Sequence, residues 1–176
     1  MATAATLVEI INWDTLLLKR STRGISKSKW NGVGGKLEDG ETPEQNAIRE
    51  TFEETGLMVE DLFYHGVLNF HNYGKEDVDF VVHLFSTKNF YGQLPANSDD
   101  GGELQWFPID SLPMAEMWKD DEYWMPHLLK GEKFDADFYF DESNSNIIRH
   151  EIKLKSNKQT CFYFSFLCII FPSPLF

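Results

Sequence analysis

A chain of 176 residues is long enough for one domain with a buried core. Its 42% hydrophobic and 25% charged residues, with 15 Phe, 5 Trp and 6 Tyr, exclude a disordered main body. A formal net charge of -12 and a pI near 4.7 exclude a nucleic-acid polymer held through its phosphates, because that needs a basic surface. An anionic small ligand would need a divalent cation to offset the same field.

The N-terminus, MATAATLVEIINW, has no basic leader and no long apolar core, so a signal peptide is not expected. Leu7 to Ile11 and Thr15 to Leu18 are apolar runs parted by Asn12-Trp13-Asp14, a strand, turn and strand pattern. Basic residues follow at Lys19, Arg20, Arg23, Lys27 and Lys29, and then the loop WNGVGGKLEDGE, with glycines at 32, 34, 35 and 40. A helix is expected over 43–55: Thr42 is a natural N-cap, Pro43 suits the first position, Gln45 completes a capping box and Gly56 closes the end.

Strand patterns recur at Phe63 to Phe70 and Asp79 to Phe85, joined by HNYGKED, and again at Gln105 to Ile109. The segment 111–129 reads as mostly helical with proline interruptions. Asp137 to Phe140 and Ile147 to Leu154 read as a closing hairpin. The sum is an α+β domain over 1–155, followed by a tail over 156–176 that turns abruptly apolar and aromatic. Its stretch Cys161 to Phe171 is too short to span a membrane, so no membrane span is expected. Both cysteines, Cys161 and Cys168, lie in that tail, which leaves the body without a disulfide or a thiolate metal site. The reading is cytoplasmic, with nucleus and mitochondrial matrix left open.

On the helix over 43–55, Glu50, Glu53 and Glu54 share one face through their spacings of three and four residues. Gathered like charges cost stability and raise one another's pKa values, whereas a helix stabilised by surface charge alone would alternate Glu with Lys. A hard divalent cation reverses that cost, and Mg²⁺ in particular takes carboxylates together with phosphate oxygens. The glycine loop can bring its backbone to the same ion, and Arg49 can orient a carboxylate with its planar fork. An acidic calcium loop at DADFYFDE is rejected, because the central glycine and the terminal glutamate spacing are missing.

Gly35, five residues, Glu41, seven residues, Arg49-Glu50, two residues, Glu53-Glu54, one residue, Gly56-Leu57 resembles the Nudix box in every charged and glycine position. Thr51 stands where that family has an aliphatic residue. The resemblance implies an α/β/α sandwich with a mixed central sheet and a catalytic loop-helix. It also implies Mg²⁺ (or Mn²⁺) held by Glu50, Glu53, Glu54 and the carbonyl of Gly34 or Gly35. In that reading Arg49 orients a glutamate, Glu41 braces the loop, and Glu53 or Glu103 takes a proton from water. Asp100 shares with Glu103 the place of a further family acid, which falls on Gly101.

The flanks WNGVGGK and MWKDDEYWMP resemble the branch of the family that acts on oxidised purine nucleoside triphosphates. This implies a monomeric enzyme that releases pyrophosphate and cleanses the nucleotide pool of 8-oxo-dGTP and 2-hydroxy-dATP. Trp118 would stack on the purine, Asp120 and Asp121 would read its edge, and Asn31, Thr6 and Phe70 would complete the pocket. Lys36 and the loop glycines would meet the phosphates. At the place of the branch's pocket lysine stands Ser21, with Lys19, Arg20 or Arg23 as substitutes. The rivals are a Nudix hydrolase for another nucleoside diphosphate derivative and a non-catalytic nucleotide-binding module.

Overall fold

The computed structural model describes residues 2–22, 28–95 and 102–156. The two N-terminal apolar runs form β1 (Thr3–Asn12) and β2 (Thr15–Arg20), antiparallel with Ile10 opposite Leu17. The chain continues through β3 (Trp30–Asn31), α1 (Pro43–Thr55), β4 (Met58–Glu60), β5 (Phe63–His71), β6 (Phe80–Thr87), β7 (Asn89–Tyr91) and β8 (Glu103–Pro108). It ends with α2 (Asp121–Leu129), β9 (Phe134–Phe140) and β10 (Ile147–Leu154).

Among the described residues, eight strands make one mixed sheet in the order β10-β9-β5-β6-β1-β2-β3, with β8 also on β2. β1 runs parallel to β6, and β5 runs parallel to β9, so hairpins are joined side by side through non-local pairings. β1 is buried along nearly its whole length because helices cover both sheet faces. On one face Val8, Ile10 and Leu17 pack with Ala47 of α1. On the other, Ala5, Leu7, Ile11, Leu16 and Leu18 pack with Trp124, Met125 and Leu128 of α2. The expected α/β/α layering is the layering observed.

α1 begins and ends where its caps require. The Thr42 hydroxyl accepts the Gln45 N–H at 3.2 Å, and the Gln45 side chain accepts the Thr42 N–H at 2.9 Å. Gly56 closes the helix at φ 69°, a left-handed conformation that a Cβ disfavours. Its buried side carries Asn46, Ala47, Thr51 and Thr55, while Ile48 and Phe52 face outward. That division follows from polar work: Asn46 and Thr55 make buried hydrogen bonds that an aliphatic face would lack.

The segment 111–129 is less helical than its pattern suggested. Pro108 and Pro113 break it into short 3₁₀ turns at Ile109–Ser111 and Met114–Glu116, and only α2 is a true helix. β3, β4 and β7 are two or three residues long and were not legible at all. Asp100, Gly101, Arg23, Lys27 and the tail from 157 onward lie outside the described residues.

The Thr51 hydroxyl is fully buried and has no hydrogen-bond partner. Thr51→Val keeps the shape and removes the orphan hydroxyl, so it is expected to raise stability by about 1 kcal/mol. An unchanged or lower midpoint in urea unfolding would refute that assignment.

Candidate active site

Arg49 is the hub of the loop-helix. Its Nε and Nη2 fork onto the two oxygens of Glu41 at 2.8 and 3.0 Å, and Nη1 reaches Glu50 at 2.9 Å and Glu53 at 3.1 Å. Glu41 also accepts the Glu38 N–H and the Asn46 amide. These donors, Arg49 first, hold the Glu41 carboxyl down at about 2. Glu41 thereby ties the glycine loop to α1, the bracing role expected of it.

Glu50 packs into the loop at Gly35, where a Cβ would fall 2.4 to 2.6 Å from its carboxylate atoms. Only glycine lets the backbone come so near. Glu54 is held at both oxygens, by the Lys19 ammonium at 2.7 Å and by the Gly34 N–H at 3.0 Å. Burial pushes the Glu54 carboxyl up, and Lys19 opposes the shift. Glu53 is the outward acid, its side chain 56% exposed. The acids therefore divide into two inward groups and one that reaches solvent.

Their chemistry fits a hard cation: oxygen donors on one helix face beside a glycine cradle. As placed, no three acids or histidines among the described residues are gathered closely enough to clasp an ion, because Arg49 and Lys19 sit between them. The Gly35 carbonyl accepts the Thr6 N–H at 2.9 Å, which leaves it one lone pair. Gly34 serves Glu54 through its N–H.

The second group of expected residues collects at the start of α2. Trp118 is half-buried, and its N–H donates to Asp121 at 3.0 Å. Asp120 accepts the Trp124 indole N–H at 3.2 Å. Burial pushes both carboxyls up, Asp120 to about 6 and Asp121 well above the ordinary carboxyl value, with the neighbouring Asp120 and Glu9 carboxyls adding to its burial. Phe70 belongs to the same sheet face, stacked with Phe138 and Phe140.

Thr6 and Glu103 stand apart from the groups they were expected to join, while Asn31 adjoins Gly32. The Thr6 hydroxyl donates to Asn46 of α1 at 2.5 Å, on the face away from α2. Asn31 is opposite Lys19 in the β2–β3 ladder, and its side-chain oxygen accepts the Gly32 N–H at 3.0 Å. Glu103 is opposite Arg20; strand alternation turns it away from Leu104 and Trp106, which pack under α1, so it does not join the box. Lys36 is exposed beside the loop.

Sequence reasoning passed over Asn46 and Glu9. Asn46 is fully buried and joins Thr6, the Lys36 carbonyl and Glu41. Glu9 is an acid at the parity of Leu7 and Ile11, and that alternation was the signal that would have flagged it as buried. Neither of its oxygens has a hydrogen-bond partner, and burial pushes its carboxyl up to about 8.

The fold, the capped loop-helix and the Arg49-centred carboxylates define a Nudix-type hydrolase. The NUDIX domain matches residues 1–128, and the chain belongs to the Nudix hydrolase family, whose members generally use a divalent metal. It is 39% identical over 140 residues to the oxidized purine nucleoside triphosphate hydrolase of Mus musculus, covering 80% of this chain and 88% of that protein. It is 40% identical over 147 residues to the protein of the same name from Danio rerio, covering 84% and 92%. The fold is similar to the crystal structure of the mutator MutT protein from Bacillus halodurans, with a TM-score of 0.74 at 20% identity over 85% of this chain and 97% of that one. Among the described residues no helix is long and apolar enough to cross a membrane.

Arg49→Lys keeps the charge but loses the fork onto Glu41, and is expected to cost about 1–3 kcal/mol of stability. An unfolding midpoint equal to that of the native chain would count against the bracing role. Glu9 binds its proton more tightly when folded. Its contribution is complete below the ordinary carboxyl value near 4.5 and is lost as pH rises toward about 8. One such group gives a slope of about 1.4 kcal/mol per pH unit. Urea unfolding of Glu9→Gln should show a shallower decline across that window, and an identical decline would exclude Glu9 as its source.

Proposed function

We propose that the chain hydrolyses oxidised purine nucleoside triphosphates, 8-oxo-dGTP foremost and 2-hydroxy-dATP as a second substrate, to the monophosphate and pyrophosphate. The reading includes Mg²⁺ as the native ion, with Mn²⁺ as a substitute, and a role in keeping oxidised nucleotides from polymerases. The observation that carries it is the pair of buried acids beside Trp118, because unmodified phosphate chemistry needs no protonated carboxyl at a base. The names of the two vertebrate relatives support the same substrate class.

Glu50, Glu53 and Glu54, with the Gly35 carbonyl, would hold the ion. When bound, it offsets the phosphate charge and acidifies the attacking water. Glu53, the acid open to solvent, takes the proton as water attacks a phosphorus in line and pyrophosphate departs. Arg49 bridges Glu50 and Glu53, and Lys19 opposes the upward push of burial on the Glu54 carboxyl. Lys36, exposed on the loop, meets the phosphates.

At the base, Trp118 supplies the flat apolar surface. Both carboxyls accept one N–H, but Asp121 also bears the charge of Asp120 on top of its burial, so the proton of the pair falls to Asp121. Asp120 then accepts and Asp121 donates, so the pair offers both hydrogen-bond polarities to the rest of the base.

Pyrophosphate release with Mg²⁺ is the direct test, comparing 8-oxo-dGTP, dGTP and ADP-ribose. A preference for the oxidised triphosphate of at least tenfold is expected, and turnover of ADP-ribose alone would replace this reading with another Nudix substrate. Glu53→Gln is expected to lower kcat by about 10²–10⁴ with little change in folding. Undiminished kcat would take the proton-accepting role from Glu53.

A further inference from the structure

Glu9 is the buried charged-type residue for which neither the metal box nor the Asp120–Asp121 pair has a use. Its neighbours on the same side of β1 are Leu7 and Ile11, and a third aliphatic residue would complete that row. Instead the position holds a carboxyl with no accessible surface and no hydrogen-bond partner on either oxygen. Folded proteins pair almost all such atoms, so an orphan of this kind calls for a partner from outside the chain.

Two observations say where that partner would be. The carboxyl rests against Gly32, where a Cβ would fall 2.5 Å from Oε1 and 2.9 Å from the carboxyl carbon, so the residue after Asn31 has no side chain to interpose. On another side stands Asp121, near enough that the two carboxyls influence each other's proton affinity. Lys29, which also acts on Asp121, spends its ammonium on the Met117 carbonyl at 2.8 Å. Glu9 therefore lies on the α2-facing row of β1, near Asp121 of the pair assigned to the base, and no cation of the described residues hydrogen-bonds to it.

We propose that Glu9 is a specificity-determining residue of the base pocket, which pairs its carboxyl with the N–H and C=O edge that oxidation creates on a purine. This rests on the oxidised-purine reading above. A protonated carboxyl carries one O–H donor and one C=O acceptor side by side. An edge with a ring N–H next to an exocyclic oxygen satisfies both at once, whereas the unmodified edge, a ring nitrogen acceptor next to C–H, satisfies one. The ring completes a group that the folded chain leaves incomplete, and a site built to pair such groups rejects the analogue that lacks them. Both oxygens are fully enclosed, so the side chains over them must part for the ring to enter.

The test compares the native chain with Glu9→Leu and Glu9→Gln, reading kcat/KM for 8-oxo-dGTP and for dGTP together with the unfolding midpoint. Glu9→Leu should be at least as stable as the native chain and should lower the 8-oxo-dGTP to dGTP ratio tenfold or more. Glu9→Gln retains a donor beside an acceptor and should keep the ratio within about threefold. Glu9→Met supplies the same apolar test should the branched leucine not fit. A merely structural role moves both substrates together, so a ratio unchanged in the apolar variants, or collapsed equally in Glu9→Gln, overturns the proposal. A native chain without preference for 8-oxo-dGTP overturns the oxidised-purine reading itself, and is seen before any variant is made.

Discussion

The guanidinium of Arg49 holds the active face together. Three carboxylates at spacings of three and four residues repel one another, and a short helix cannot carry them without a counter-charge. Arg49 supplies it from within the same helix while anchoring itself to Glu41, a residue of the preceding loop. Glu41 is in turn fixed by the Glu38 N–H and by Asn46, next to the capping box that starts α1. Loop, cap and acids thus form one rigid unit, and the glycines serve it by keeping space for Glu50.

That unit is fastened to the sheet through β1. Bridges from Ala5 to Lys36 and from Val8 to Val33 lay the glycine loop along β1, while Asn46 reaches Thr6 on the same strand. The strand is buried on both sides, so the loop sits on the best-packed element of the molecule. Its opposite face meets α2 and the acids Asp120 and Asp121. A single strand consequently carries the glycine loop and α1 on one side, and Glu9 and α2 with its buried acids on the other.

The parts legible in the sequence are those whose causes are local. The helix over 43–55 has its stop and start signals within a few residues of its ends, and its bounds were read without error. The hairpin β1–β2 was legible as two apolar runs parted by a turn, and β9–β10 through its alternation. The parallel pairings of β1 with β6 and of β5 with β9 were not, because partners far apart in the chain leave no periodic trace. Nor were β4 and β7, too short to show a pattern. In 111–129 a helical pattern was overruled by prolines that fix φ and remove donors.

The sequence by itself determined the family, the capped loop-helix and which acids share one face of it, because these depend on spacings within one short segment. Only the tertiary structure decided what each acid experiences. Glu54 is paired with Lys19 across a gap of 35 residues, Asp120 with a tryptophan, and Glu9 with nothing. It also parted Thr6 and Glu103 from the sites to which the family resemblance had assigned them. Burial and ion pairing set a carboxyl's charge, and both arise from contacts between segments that the linear order does not bring together.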